Sequence, residues 1–198
     1  MKLFFCPQTR AVSSRWAMEE VAAPHELIRL KFPEELVHPD LRAANPLGQV
    51  PTLVDGDQVV TESSAIALYL ADRFPASSLA PAQDLRHEYY QWAFFVGAAL
   101  EPHLLEFFLH TVRLPEGERS AERAAKAKEG FDRVLGIVND HLATREYLLG
   151  EKFSMVDVIL GSILGWAQMM NLLAGFDHVR AYFKRVRSRP AFERAVQD

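Results

Sequence analysis

The chain has 198 residues, 49% hydrophobic and 24% charged, with both signs mixed along its length and a formal net charge of -4. That length carries one or two domains with a real core, and the weak negative charge gives no global attraction for nucleic acid or for an anionic membrane. One cysteine cannot close an intramolecular disulfide, and the opening MKLFFCPQTR has too short an apolar run for a secretory signal, so a reducing cytoplasm is the expected setting.

Lys2 to Phe5 reads as a short strand, Arg10 to Ala22 as a helix, and Glu26 to Leu30, by its alternation, as a second strand. A weakly marked helical piece follows around Asp40 to Ala44. The stretch Asn45 to Leu70, NPLGQVPTLVDGDQVVTESSAIALYL, is the most informative part of the chain. Pro51 has no N–H, and the bond before it is of the one type that adopts cis at modest cost, typically in a tight turn. A cis bond at Val50-Pro51 turns the Val50 backbone outward, where its N–H and C=O can pair with an extended peptide as a strand does. Thr52 to Val54 and Gln58 to Val60 flank Asp55-Gly56-Asp57, a hairpin signal. Glu62 and Ser63 then precede Ala65, Ile66, Leu68, Tyr69 and Leu70, so Ser63 reads as a helix N-cap. A helix N-terminus holds carboxylates through free N–H groups and the helix dipole, and Glu62 beside it offers an acceptor for an ammonium. Together these devices suit the α-amino-acid end of a small peptide.

Phe74-Pro75 ends this first part, and PASSLAPAQ reads as a connector of small residues and prolines. Only helical periodicity follows: Trp92, Phe95, Val96, Ala99, Leu100 and His103 form one apolar face, and Phe131, Val134, Leu135, Val138 and Leu142 another. Pro102 removes a backbone bond within the first of these and should bend it. Ser154 and Asp157 have capping-box spacing, with Asp in place of Glu or Gln. Val156 to Phe176 is apolar enough to mimic a membrane span, with Gly161 and Gly165 at a G-x-x-x-G spacing; Asp157, Gln168 and Asn171 interrupt it, and the expectation is a buried core helix whose glycines permit close contact.

The pattern N-P-x-G-x-V-P, then Glu62-Ser63, then a helix, resembles the glutathione-binding half of the glutathione S-transferase superfamily. The S-x-x-D after Gly150-Glu151-Lys152-Phe153 and the closing Ser188-Arg189-Pro190-Ala191-Phe192 are similar to that family too, so the resemblance covers nearly the whole chain. It implies a thioredoxin-like domain of order βαβαββα over residues 1–75, a linker at 76–83 and an all-helical domain over 84–198, assembled as a homodimer in the cytoplasm. It implies glutathione as co-substrate, bound through the Val50 backbone, Pro51, Glu62 and Ser63 with Gln49 as a further amide contact. His38 or Lys31 would be the cation for the glycine carboxylate. The implied activity is conjugation of the glutathione thiolate to small hydrophobic electrophiles, in detoxification, with no metal, nucleic acid or membrane involved.

Which group acts on the sulfur is left open between Cys6 and Thr9. Phe5 stands where some classes have a tyrosine and has no hydroxyl. Cys6-Pro7-Gln8-Thr9 resembles the C-P-x-C or C-P-x-S motif of glutaredoxins and of cysteine-bearing, omega-like transferases. A thiol at the start of a helix is pulled from a pKa of about 8.5 towards ~3.5–7.5 and can exchange disulfides with glutathione. The plainer reading makes Cys6 the buried end of a strand. Thr9-Arg10-Ala11, with Trp16 beyond, resembles the S-R-[SA] start of another bacterial group, in which Thr9 would donate a hydrogen bond to bound thiolate; Thr9 also suits a helix cap. Beta-class members carry a cysteine where this chain has Arg10. The electrophile pocket implied by the resemblance contains Phe94, Glu101, His103 and Trp166, although a histidine on an apolar face is more often a core residue than a catalyst. Two alternatives remain beside conjugation: a glutathione-dependent thiol-disulfide oxidoreductase using Cys6, and a non-catalytic binding protein of the same fold.

Overall fold

The computed structural model describes residues 1–197. Its first part runs β1 (Lys2–Phe5), α1 (Ala11–Glu20), β2 (Glu26–Arg29), α2 (Pro39–Ala44), β3 (Thr52–Asp55), β4 (Gln58–Thr61) and α3 (Ser63–Arg73), the βαβαββα order of a thioredoxin-like domain. The sheet order is β2-β1-β3-β4, with β1 parallel to β2 and antiparallel to β3, and β3 antiparallel to β4. Gly56 makes the β3–β4 turn with φ +61°, a conformation that glycine adopts without steric cost.

Strand alternation divides β1 between two layers. Leu3 and Phe5 join the main core with Trp16, Leu53, Ile66 and Leu70, whereas Phe4 and Cys6 face a smaller cluster with Leu30 and Leu41 on the α2 side. Register then gathers a site at one edge. Phe4 pairs with Thr52 and Thr52 with Thr61, so the end of β1, the start of β3 and the end of β4 lie side by side. Just beyond them come the β1–α1 turn, Pro51 and Glu62.

The rest is helical: α4 (Arg86–Phe94), α5 (Glu101–Phe108), α6 (Ala121–His141), α7 (Met155–Met169), α8 (Asp177–Arg187) and α9 (Pro190–Val196). Wide π-helical turns at Phe95–Leu100 and Leu109–Arg113 flank α5. The first ends just ahead of Pro102, where the chain must accommodate the missing N–H. The continuous helical run Gln83–Arg113 has the length and apolarity of a membrane span, but its Tyr89, Trp92, Val96, Leu100 and Leu104 are buried in the main core. Helix α7 is buried at ten of its positions and is the centre of this part.

The capping box at α7 forms as the sequence suggests. Asp157 accepts hydrogen bonds from the Ser154 amide at 2.8 Å, the Leu148 amide at 2.9 Å and the Tyr182 hydroxyl at 2.9 Å. Burial nevertheless pushes its carboxyl above the usual carboxylate range, and these bonds pull the other way. The glycines of α7 admit rings rather than another backbone: a Cβ at Gly161 would lie 2.7 Å from Trp16, and one at Gly165 3.7 Å from Phe183.

Candidate functional site

Val50-Pro51 is cis. Among the described residues, neither the N–H nor the C=O of Val50 has a hydrogen-bond partner, which leaves both available to a strand-like ligand. Gln49 is exposed and Pro51 buried beside it. The loop is fixed from behind, since Asn45 Nδ2 donates to the Gln49 carbonyl and to Thr52 Oγ1, both at 3.2 Å.

Helix α3 begins one residue earlier than expected. Glu62, not Ser63, occupies the N-cap position, with φ +67° and no side-chain capping bond, and Ser63 is the first helical residue. A non-glycine residue in that conformation is strained and persists only where its surroundings hold it. Glu62 is exposed while Ser63 is 8% exposed, and the Ser63 hydroxyl accepts a hydrogen bond from Arg10 Nη2 at 3.1 Å.

The β1–α1 turn resolves what its two candidates do. Cys6 is fully buried on the α2 face of the sheet. Its thiol is pushed up by burial and then by the Glu35 charge, the opposite of the lowered pKa expected from its place before a helix. The physical reason is the strand period, which aims Cys6 away from α1. Thr9 Oγ1 donates to the Cys6 carbonyl at 2.8 Å and accepts from the Ala11 amide at 3.2 Å, so it braces the turn into α1, whose N-cap position is Arg10. The amides of Gln8, Thr9 and Arg10 have no partner among the described residues, and Gln8 has φ +58°. Three successive open N–H groups at the start of a ten-residue helix make a place for an anion.

Arg10 is the residue that sequence reasoning missed. Its Nη2 donates to Ser63 Oγ at 3.1 Å and to Glu101 Oε2 at 2.7 Å, and its Nη1 also pairs with Glu101. It therefore joins the starts of α1, α3 and α5. Burial brings its guanidinium down to about 10, and the Glu62 charge opposes that shift. The one local signal was its place between Thr9 and α1.

The four residues expected around the electrophile do not gather at one place. Glu101 is in the cleft, held by Arg10. Leu105, Phe108 and Val112 follow it at helical spacing, and Leu105 and Val112 are 44% and 54% exposed. Trp166 packs edge-on against Phe108 with centroids 5.2 Å apart, and Arg113 lies over the Phe32 ring at 5.7 Å. His103 lies on another face, about 200° round the helix from Glu101. There it covers Gly130 of α6, whose added Cβ would come within 2.5 Å of the imidazole. Phe94 is 71% exposed and has no ring partner among the described residues. His38 Nδ1 accepts from the Asp40 amide at 3.3 Å, and Lys31 is exposed.

Residues 1–72 match the family description "Glutathione S-transferase, N-terminal domain", and residues 90–190 match "Glutathione S-transferase, C-terminal domain". The chain is 29% identical to Glutathione S-transferase GstA of Escherichia coli, over 99% of this chain and 97% of that protein. It is similar to the theta class glutathione S-transferase of the citrus canker pathogen Xanthomonas axonopodis pv. citri, solved with glutathione bound, with a TM-score of 0.87 and 30% identity over 100% of this chain and 97% of the other. It is also 30% identical to elongation factor 1-gamma of Prunus avium, over 81% of this chain but only 39% of that protein.

Proposed function

The chain belongs to the glutathione S-transferase family, and on that premise we propose that it binds glutathione, stabilises its thiolate and transfers it to small hydrophobic electrophiles. It is a glutathione transferase. The carrying observation is the edge where the open Val50 backbone, the exposed Glu62 carboxylate beside Ser63, and the unpaired amides of Gln8 to Arg10 come together. The cysteinyl backbone of glutathione would pair with Val50, in the manner of an added strand. Its γ-glutamyl end would set its ammonium near Glu62 and its carboxylate near Ser63 and the start of α3. The sulfur then falls towards the β1–α1 turn, where open amides and the Thr9 hydroxyl favour the thiolate. The apolar stripe of Leu105, Phe108 and Val112 with Trp166 receives the second substrate, and holding both together lowers the barrier to attack.

Burial of Cys6 weighs against the disulfide-exchange alternative. The division into residues 1–75 and 84–198, a cytoplasmic homodimer, a detoxifying role and His38 or Lys31 at the glycine carboxylate belong to the proposal and rest on the family resemblance. Calorimetry with glutathione, followed by conjugation to a dinitrophenyl halide, tests it: Ser63→Ala and Glu62→Gln each weaken binding about tenfold. Unchanged affinity in both variants contradicts the assignment.

A further inference from the structure

The helical run from Glu101 to Arg113 touches the first part of the chain at both ends. Glu101 pairs with Arg10 at one end. At the other, the Arg113 guanidinium lies 5.7 Å from the centroid of the Phe32 ring, in the loop between β2 and α2. About 18 Å of helix separates the two contacts, and between them lie the exposed Leu105 and Val112 with Phe108, against which Trp166 packs. This apolar trough thus has one end beside the β1–α1 turn and the other at Arg113.

Arg113 is an exposed cation without a carboxylate. Glu116 and Glu118 follow in the next turn of chain, yet among the described residues its N–H donors meet no acceptor. The Phe32 ring attracts the charge through its π face and offers no oxygen, so those donors stay available to a ligand. The backbone beneath is held on both sides: Arg119 Nε donates to the Leu114 carbonyl at 2.8 Å, and its Nη2 to the Val112 carbonyl at 2.7 Å. The Leu114 amide also bonds to the Leu109 carbonyl at 3.0 Å. A side chain that starts from a fixed backbone and rests on a ring loses little further freedom when it takes up a ligand.

We propose that Arg113 is a specificity-determining residue for the electrophile, binding a carboxylate or sulfonate at the far end of an otherwise apolar substrate. The inference rests on the transferase reading and narrows its substrate class from apolar to apolar with an acidic tail. The helix rises about 12 Å from Leu105 to Arg113, so the acidic group belongs about 10 Å from the reacting carbon. A guanidinium fork meets a carboxylate through two parallel charge-assisted hydrogen bonds. Because Arg113 is exposed, the gain is modest and sensitive to salt.

The test is steady-state conjugation of glutathione, by the full chain, to 4′-carboxychalcone and to its neutral 4′-carboxamide. In both, the thiolate adds to the β-carbon and the α-carbon takes a proton from water, so nothing leaves and the chemistry is shared. Each rate is divided by its uncatalysed rate. Wild type is expected to prefer the acid about tenfold in kcat/KM at low ionic strength, chiefly through KM, and less at high ionic strength. Arg113→Gln should bring that preference to within about twofold of unity, and Arg113→Glu should turn it towards the carboxamide. Equal use of the two chalcones by wild type overturns the inference, as does a preference for the acid that survives in Arg113→Gln. Conjugation of the dinitrophenyl halide with neither chalcone accepted overturns it too. Conjugation of none of the three overturns the transferase reading beneath it.

Discussion

The Thr9 hydroxyl donates to the carbonyl of Cys6 at 2.8 Å, so the two rivals for the glutathione sulfur are tied together, one half-buried in the turn before α1 and the other a buried strand end. Cys6 faces the α2 side of the sheet, which leaves the Thr9 hydroxyl as the side-chain donor proposed for a bound thiolate.

Thr9→Ala should have two separable effects. Loss of the bond from Ala11 leaves the first amide of α1 without its partner, at a cost of about 1 kcal/mol of stability. Loss of the donor raises the pKa of bound glutathione by about one unit, seen in ultraviolet thiolate absorbance. Thr9→Ser should preserve both properties, and a normal bound pKa in Thr9→Ala would remove the hydroxyl from the mechanism.

Cys6 should be chemically quiet. Burial and the Glu35 charge raise its thiol above the ordinary value, so alkylation of the native protein is slower than that of an exposed cysteine at the same pH and accelerates on unfolding. A raised folded-state pKa means the folded thiol keeps its proton longer. Its contribution to stability is therefore full below the unfolded value and is lost as pH rises towards the folded one. Cys6→Ala should keep conjugation within about twofold of wild type, because catalytic contacts made elsewhere are untouched. A loss of a hundredfold or more would restore Cys6 as nucleophile.

Glu62 carries backbone strain in the service of its side chain. Glu62→Gly relieves the φ of +67° and should stabilise the fold by about 1 kcal/mol, offset in part by glycine's greater unfolded-state entropy. The same change should lower glutathione affinity about tenfold. Thermal melts and calorimetry on one preparation would show stability and affinity moving in opposite directions; parallel movement would show that the strain serves the fold alone.

Arg189 should matter to stability more than a surface ion pair does. Its Nε and Nη2 grip Glu20 at 2.6 and 2.7 Å, and the Glu20 side chain is 4% exposed. Its guanidinium lies 3.7 Å from the Phe153 ring centroid, while Trp16 Nε1 donates to Glu20 at 2.9 Å. Arg189→Ala leaves a buried carboxylate with one neutral partner, at a cost of about 3 kcal/mol read from denaturant unfolding. A cost below ~1 kcal/mol would place the pair among ordinary exposed ones.

Features encoded over a few residues were legible in the sequence. Asp55-Gly56 announced its hairpin and Ser154 with Asp157 their capping box, because turn and cap chemistry are local. Ser63 was misplaced by one position because its own residue type suits a cap, and the positive φ at Glu62 leaves no signal in the letters. Cys6 stood open between a reactive thiol and a buried strand end, and the alternation of Leu3, Phe4, Phe5 and Cys6 carries the clue that favours the second, since it sends the thiol to the same side as Phe4. Arg10 was hidden for a different reason: its partners lie 53 and 91 residues away, and no periodicity links them. His103 shared an apolar face with core residues, and the pairing that placed it, with Gly130 on α6, is again tertiary.

The central claim is that the β1–α1 turn and the edge formed by Val50, Glu62 and Ser63 hold glutathione with its sulfur ionised. Ultraviolet titration of the glutathione complex against pH measures this directly. The account predicts saturable binding and a thiolate signal that is already present at neutral pH, with a bound pKa at least one unit below that of the free thiol. Binding with an unshifted thiol pKa, or no binding at all, would contradict it.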